Sequence, residues 1–257
     1  MKSEDINLNY ANPMMKWAKD LFPICRSITG KGIKQTISYL KKINSEVKVK
    51  NFKSGQKVFD WVIPPQWEIS EAYIEHSSGT RFAEFSKNNL HILYYSEPIN
   101  KVLSRDQLLP HIYTQPDQPD RIPYVTSYYT KRWGFCMSEN DKKKLPAGKY
   151  KVLIKSKKFK GELNLAEVSI NGNKKDLVIF STNICHPSMA NNELSGPILS
   201  MCLINFLSKR KNNKSYRFIF LPETIGSISY LAKNFNNLKK KVEAGFNLTC
   251  VGDERMY

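Results

Sequence analysis

DLVIFSTNIC (176–185), YRFIFL (216–221) and GFNLTCV (245–251) are three apolar runs in the last third of the chain. Each is short and dense, as expected of a strand buried on both faces of a sheet. Between the first two lies SGPILSMCLINFLS (195–208), which reads as a helix with Ser195 as N-cap and Pro197 near its first turn. Residues 227–235 read as a second helix. The order β-α-β-α-β predicts an α/β fold with a parallel sheet and right-handed crossovers.

The pattern differs upstream. KVFDWVI, EAYIEH, LHILYY, IPYVTSYY, RWGFCMS and KYKVLI alternate or carry many aromatics, with Pro and Gly between them. Residues 56–158 therefore predict a β-rich insertion, mostly antiparallel, with long loops. Before it, residues 13–44 predict two helices. The first has an apolar face of Met14, Met15, Trp17, Ala18, Leu21 and Phe22; the second has Ile33, Ile37, Leu40 and Ile43 at helical spacing. Residues 1–55 and 159–257 are thus expected to form one α/β domain, with residues 56–158 inserted into it.

The 257 residues carry a formal charge of +17, and 32 of the 40 basic residues are Lys. Arg, the residue suited to bidentate phosphate and base contacts, supplies only eight. The basic clusters are scattered between predicted elements, so they read as solvated surface, and nucleic acid is not an expected partner. No run of about 18 apolar residues occurs, so no membrane span is expected. Five cysteines without a CxxC pair fit neither a disulfide scaffold nor a zinc ribbon; reduced thiols point to a cytoplasmic protein. Dinucleotide fingerprint, P-loop and GxSxG motifs are absent.

In open α/β sheets a site forms beyond the carboxyl ends of the strands. The first run ends in Cys185-His186, the second in Pro222-Glu223, the third in Gly252-Asp253-Glu254. Alone, each has a plain reading: a strand-end histidine, a helix N-terminal carboxylate, a turn residue. Together they place imidazole and carboxylates at successive strand tips, a donor set suited to zinc. A nearby Glu can take a proton from water and return it to a leaving amine. His76, His91 and His111 fall in the β-rich segment and read as surface or satisfied residues. Cys136 and Cys185 lack a nucleophile context.

STNICHPSMANNELSGP (181–197), FLPETIGSISYL (220–231) and GFNLTCVGDERMY (245–257) together resemble an aminopeptidase-like family of the di-zinc exopeptidase type, often encoded in polysaccharide-biosynthesis clusters. LFPICRSITGKG, VFDWVIPPQW and residues 109–138 carry the resemblance over nearly the whole chain. It implies a three-layer αβα zinc-exopeptidase-like domain and one or two zinc ions held by His186, Glu193, Glu223 and Asp253. Glu223 is the expected general base; Arg132, Trp133 and Asn192 are candidate substrate-cleft residues, with plain core as the other reading of Trp133. The turn of the DNxSG type reads Asn192-Glu193-Leu194-Ser195-Gly196. A neutral amide thus stands where the bridging Asp is expected; either Glu193 substitutes or one metal binds. The next ligand falls on Asp253 or, by strict alignment, on Thr249. Family members continue past Tyr257 with further strands and a late His, so the domain is expected to be C-terminally incomplete and prone to self-association, a homo-oligomer included. The implied function is hydrolysis of a small peptide or amide substrate. The alternative is a catalytically inactive scaffold or fragment with a binding role in polysaccharide biosynthesis.

Overall fold

The structure, a computed structural model, describes residues 10–254. In chain order its first elements are α1 (Ala11–Leu21), α2 (Lys31–Ile43), β1 (Lys48–Lys53), β2 (Lys57–Val58), β3 (Trp61–Val62) and β4 (Gln66–His76). There follow β5 (Arg81–Phe82), β6 (Ile99–Ser104), α3 (Arg105–Leu108), β7 (Ile112–Tyr113), β8 (Phe135–Cys136), α4 (Glu139–Lys143) and β9 (Lys149–Phe159). The last are β10 (Glu162–Ile170), β11 (Leu177–Asn183), α5 (Gly196–Leu207), β12 (Ser215–Leu221), α6 (Ile225–Lys241) and β13 (Val242–Asn247). The chain divides into two compact units. One gathers the residues up to Phe52, Lys57–Trp61 and those from Leu163 onward; the other takes Lys53–Gln56 and Val62–Glu162.

The first unit is built on a five-stranded sheet of order β1-β10-β12-β11-β13. β11 runs parallel to both β12 and β13, as the three apolar runs predict. β10 lies antiparallel to β12, so the sheet is mixed. The apolar run of β12 is buried at Phe218, Ile219, Phe220 and Leu221. The register sets the site: Asn183 pairs with Leu221, and the Ile184 N–H continues the ladder to the Leu221 carbonyl. The residues just beyond both strands therefore emerge at one level of one edge.

β13 is shifted from its expected 245–251 to 242–247 and is exposed along most of its length. After Asn247 the chain turns toward the neighbouring strand tips: the Leu248 N–H donates to the Ser181 carbonyl and Thr182 Oγ1 donates to the Leu248 carbonyl. α6 is longer than the expected 227–235, and Lys239, Lys240 and Lys241 close its last turn, where cations suit the helix dipole.

α5 begins at Gly196, not behind a Ser195 cap. Ser195 is itself helical and belongs to a single π-type turn, Asn191–Ser195. Its hydroxyl donates back to the Asn191 carbonyl at 2.5 Å instead of capping forward. A Cβ on Gly196 would stand 2.0 Å from the Leu248 carbonyl oxygen, so glycine is what lets the helix start press against this segment. Behind the π-turn, Leu194 and Ile198 pack on Leu21 of α1, with Trp17, Ala18 and Ile24 around them. The apolar stripe of α1 thus fixes the turn from behind.

The second unit is a four-stranded sheet of order β5-β4-β9-β6, antiparallel throughout. β4 and β9 pair from Gln66 with Phe159 to His76 with Tyr150, interrupted by a bulge between Ile69 and Glu71. Its core is aromatic: Trp67, Tyr94, Tyr95, Phe135 and Tyr150 are buried, and Trp67 stacks on Tyr95 with ring centres 5.6 Å apart.

Candidate active site

The segment after β11 carries the chemistry. Ile184 and Cys185 are fully buried, and His186 follows with its side chain 15% exposed. Ser188, in the loop that leads to the π-turn, has a positive φ of 52°. A π-type turn closes its hydrogen bonds over one more residue than an α-helix does, and such turns recur at functional sites. Here the turn brings Glu193 inward. Its carboxylate is buried, which requires partners. One oxygen accepts the Cys185 backbone N–H at 2.5 Å, and the other lies 2.9 Å from His186 Nδ1 and 4.0 Å from the Cys185 thiol.

The far side of the imidazole faces the second strand tip. His186 Nε2 lies 3.4 Å from Glu223 Oε2, whose side chain is half exposed. The Glu223 backbone N–H donates to Cys185 Sγ at 3.2 Å, which ties the two tips together below the side chains. Arg26, in the link between α1 and α2, donates through Nε to the His186 carbonyl at 3.0 Å and through Nη1 to the Leu21 carbonyl at 2.7 Å. Burial opposes charge on His186, but its hydrogen bonds to Cys185 and Glu193 outweigh this and raise the imidazole to about 11. Burial, reinforced by the Glu193 charge, pushes the Cys185 thiol up.

The structure brings His186, Glu193 and Glu223 together. Asn192 joins them with Oδ1 3.3 Å from His186 Nδ1, and its carbonyl accepts from Thr249 Oγ1 at 3.3 Å. Asp253 is attached to the same turn by another route: its carboxylate accepts from Asn191 Nδ2 at 2.8 Å. Cys185 is the member that sequence reasoning set aside. Among the described residues it completes a Cys185–His186–Glu193 group whose donor atoms lie within 4.8 Å of one another. Its signal in the sequence is adjacency to His186 at a strand end, hidden because cysteine also reads as the last apolar residue of the run. Arg132 and Trp133 belong to the second unit. There Arg132 donates to the Thr126 carbonyl at 2.8 Å and Trp133 stacks on His111 at 3.6 Å.

The mixed sheet, with imidazole and carboxylates at the tips of its parallel strands, defines an aminopeptidase-like α/β domain. The chain belongs to the family described as "Domain of unknown function (DUF4910)", which it matches over residues 15–257. It is 43% identical over 235 residues to a Clostridium acetobutylicum protein provisionally named as a polysaccharide-biosynthesis protein with an aminopeptidase-like domain. That match covers 91% of this chain and 54% of the relative, so the chain spans about half of the relative's length. The crystal structure of a C. acetobutylicum protein provisionally described as a peptidase superposes with a TM-score of 0.92 at 42% identity, over 95% of this chain and 58% of that one. The zinc aminopeptidase of Bacillus subtilis shares the fold, with a TM-score of 0.62 at 13% identity, over 94% of this chain and 68% of that one. No helix among the described residues is long and apolar enough to cross a membrane.

Proposed function

We propose that the chain forms the metal-binding edge of a zinc-dependent, aminopeptidase-like hydrolase of peptide or amide bonds. The observation that carries the reading is the meeting of His186, Glu193 and Glu223 at the ends of two parallel strands, with Nε2 and Oε2 3.4 Å apart. Imidazole and carboxylate donors on rigid strand ends fit a zinc ion. His186 and Glu223 would hold it, with Glu193 and Asp253 as the further acidic groups near the turn. When bound, such an ion polarises the scissile carbonyl and makes water more acidic. Glu223, half exposed at the rim, is placed to accept a proton and to return it to the leaving amine. The cytoplasmic setting, the three-layer αβα arrangement, the insertion of residues 56–158 and the cleft roles of Arg132, Trp133 and Asn192 belong to this proposal. So does a place in polysaccharide biosynthesis, where an N-acyl group on a sugar is a second amide of the right chemistry.

A catalytically silent scaffold is the competing reading, favoured by the neutral Asn192 beside His186. Two measurements separate them. Metal analysis of the purified chain is expected to find zinc that His186→Ala removes. Turnover of aminoacyl and acetamido substrates is expected to disappear in Glu223→Gln, with the zinc held more weakly than in the wild type. Unchanged turnover in Glu223→Gln would remove the base role, and no turnover on any substrate of either class favours the scaffold.

A further inference from the structure

We infer that Glu193 is the buried orienter of His186, not a metal ligand, and that this strand edge takes one divalent cation, through His186 Nε2 and Glu223. The inference rests on the proposed metal-binding reading and narrows it.

The two sides of the imidazole differ. On the Nδ1 side stands Glu193, buried, with both oxygens engaged: one by the Cys185 backbone N–H at 2.5 Å, the other by Nδ1 at 2.9 Å. Turning this carboxylate toward a cation would strip the Cys185 N–H of its partner in a dry site. Its contact with Nδ1 has hydrogen-bond length, and a carboxylate there makes Nδ1 the nitrogen that keeps its proton, so Nε2 is the one that exchanges its proton for a cation.

On the Nε2 side the geometry changes. Nε2 and Glu223 Oε2 are 3.4 Å apart. Two ligands at about 2.0–2.1 Å from one tetrahedral zinc stand about 3.3 Å apart, so this pair has the span of two corners of one coordination sphere. The side is also open, because the Glu223 side chain is 51% exposed, and an open position is what a catalytic ion needs. A second ion would need a carboxylate shared between the two. Asn192 offers a neutral amide, with its oxygen turned to the Nδ1 side. Asp253 is held to Asn191 at 2.8 Å.

The test uses the chelator-treated full chain and zinc alone. Calorimetric titration is expected to give one ion per chain. In ¹⁵N-histidine spectra His186 is expected to keep Nδ1 protonated while Nε2 shifts on zinc addition. Glu193→Gln is expected to weaken zinc about 10–100-fold with the stoichiometry unchanged, the size of effect seen for partners of a ligating His. Two ions per chain, or a zinc shift at Nδ1, overturns the inference while leaving metal binding intact. No zinc binding by the wild-type chain overturns both the inference and the function it narrows. The stoichiometry and the spectra need no variant, so a Glu193→Gln chain that fails to fold leaves the test standing.

Discussion

Both units pair charges at their surfaces, but only the first also buries charged side chains among the described residues. In the second unit acidic and basic side chains pair at the surface: Arg81 with Glu75, Lys155 with Glu71, Lys157 with Glu68. Its buried polar residues, Gln66, Ser96, Ser127 and Ser138, are neutral, and its core is aromatic. Among the described residues the buried Asp, Glu, Lys or Arg side chains are Arg26 and Glu193, both in the first unit. Both bind His186. Arg26 donates to the His186 carbonyl, and Glu193 takes the Cys185 N–H and the His186 ring. Burying charge is costly, so a fold that does it twice around one dipeptide is using it to fix that dipeptide.

The largest effect is therefore expected at Arg26. Arg26→Met removes both donors and leaves the Leu21 and His186 carbonyls buried without them. A loss of about 3 kcal/mol is expected in urea unfolding, together with weaker zinc uptake. Arg26→Lys should not restore the wild type, because an ammonium on a flexible stem does not span two carbonyls as the guanidinium fork does. A loss within about 0.5 kcal/mol, the range of an ordinary surface substitution, would break the contrast between the units.

The second effect belongs to the second unit and depends on pH. His91 lies against the Cys136 carbonyl at 2.9 Å through Nδ1. Burial holds its imidazole below the ordinary value near 6.5, opposed by that hydrogen bond. A depressed folded value means that the unfolded chain takes the proton first as the pH falls. The His91 contribution is then present above about 6.5, is lost as the pH falls through the folded value, and levels off below it. Wild type is expected to lose stability relative to His91→Gln between pH 7 and 5, in paired unfolding curves at each pH. Parallel curves over that range would show that His91 does not sense its burial.

How much of this was legible follows from the same physics. The core strands β11 and β12 were readable because strands buried on both faces are nearly continuous apolar runs. β10 was missed: its buried apolar residues, Leu163, Leu165, Ala166 and Val168, are interrupted by the buried polar Asn164 and by Glu167. β1 was missed because KVKNFK carries three lysines and buries little besides Phe52. β13 was misplaced because Val242-Glu243 continues the lysine-rich end of α6 without a break. At the site, His186 and Glu223 stood out as polar residues just past the ends of apolar runs, whereas Glu193 came only from the resemblance of the turn at 192–196. The inward turn of Glu193 did not stand out, since it depends on a π-type turn that local sequence does not announce. Arg26 was invisible as a buried charge, because its partners are backbone carbonyls and one of them lies 160 residues away.

The smallest effect sharpens the comparison from its other end. Lys155 and Glu71 are direct cross-strand partners, 2.6 Å apart, with side chains 59% and 42% exposed. The hydrogen bond between them lowers the Glu71 carboxyl and raises the Lys155 ammonium, so in isolation the pair looks strong. Exposure argues otherwise. The attraction acts through water, salt screens it, and each long side chain gives up rotamer freedom to hold one geometry. Lys155→Ala, Glu71→Ala and the double variant are therefore expected to show coupling that fades as salt is raised. Zinc affinity should be untouched in all three. The charge that counts in this chain is charge the fold removes from water around Cys185 and His186. A large, salt-resistant coupling at Lys155–Glu71 would mean instead that the β-rich unit also relies on charge, and that the buried pair at the strand edge is a difference of degree.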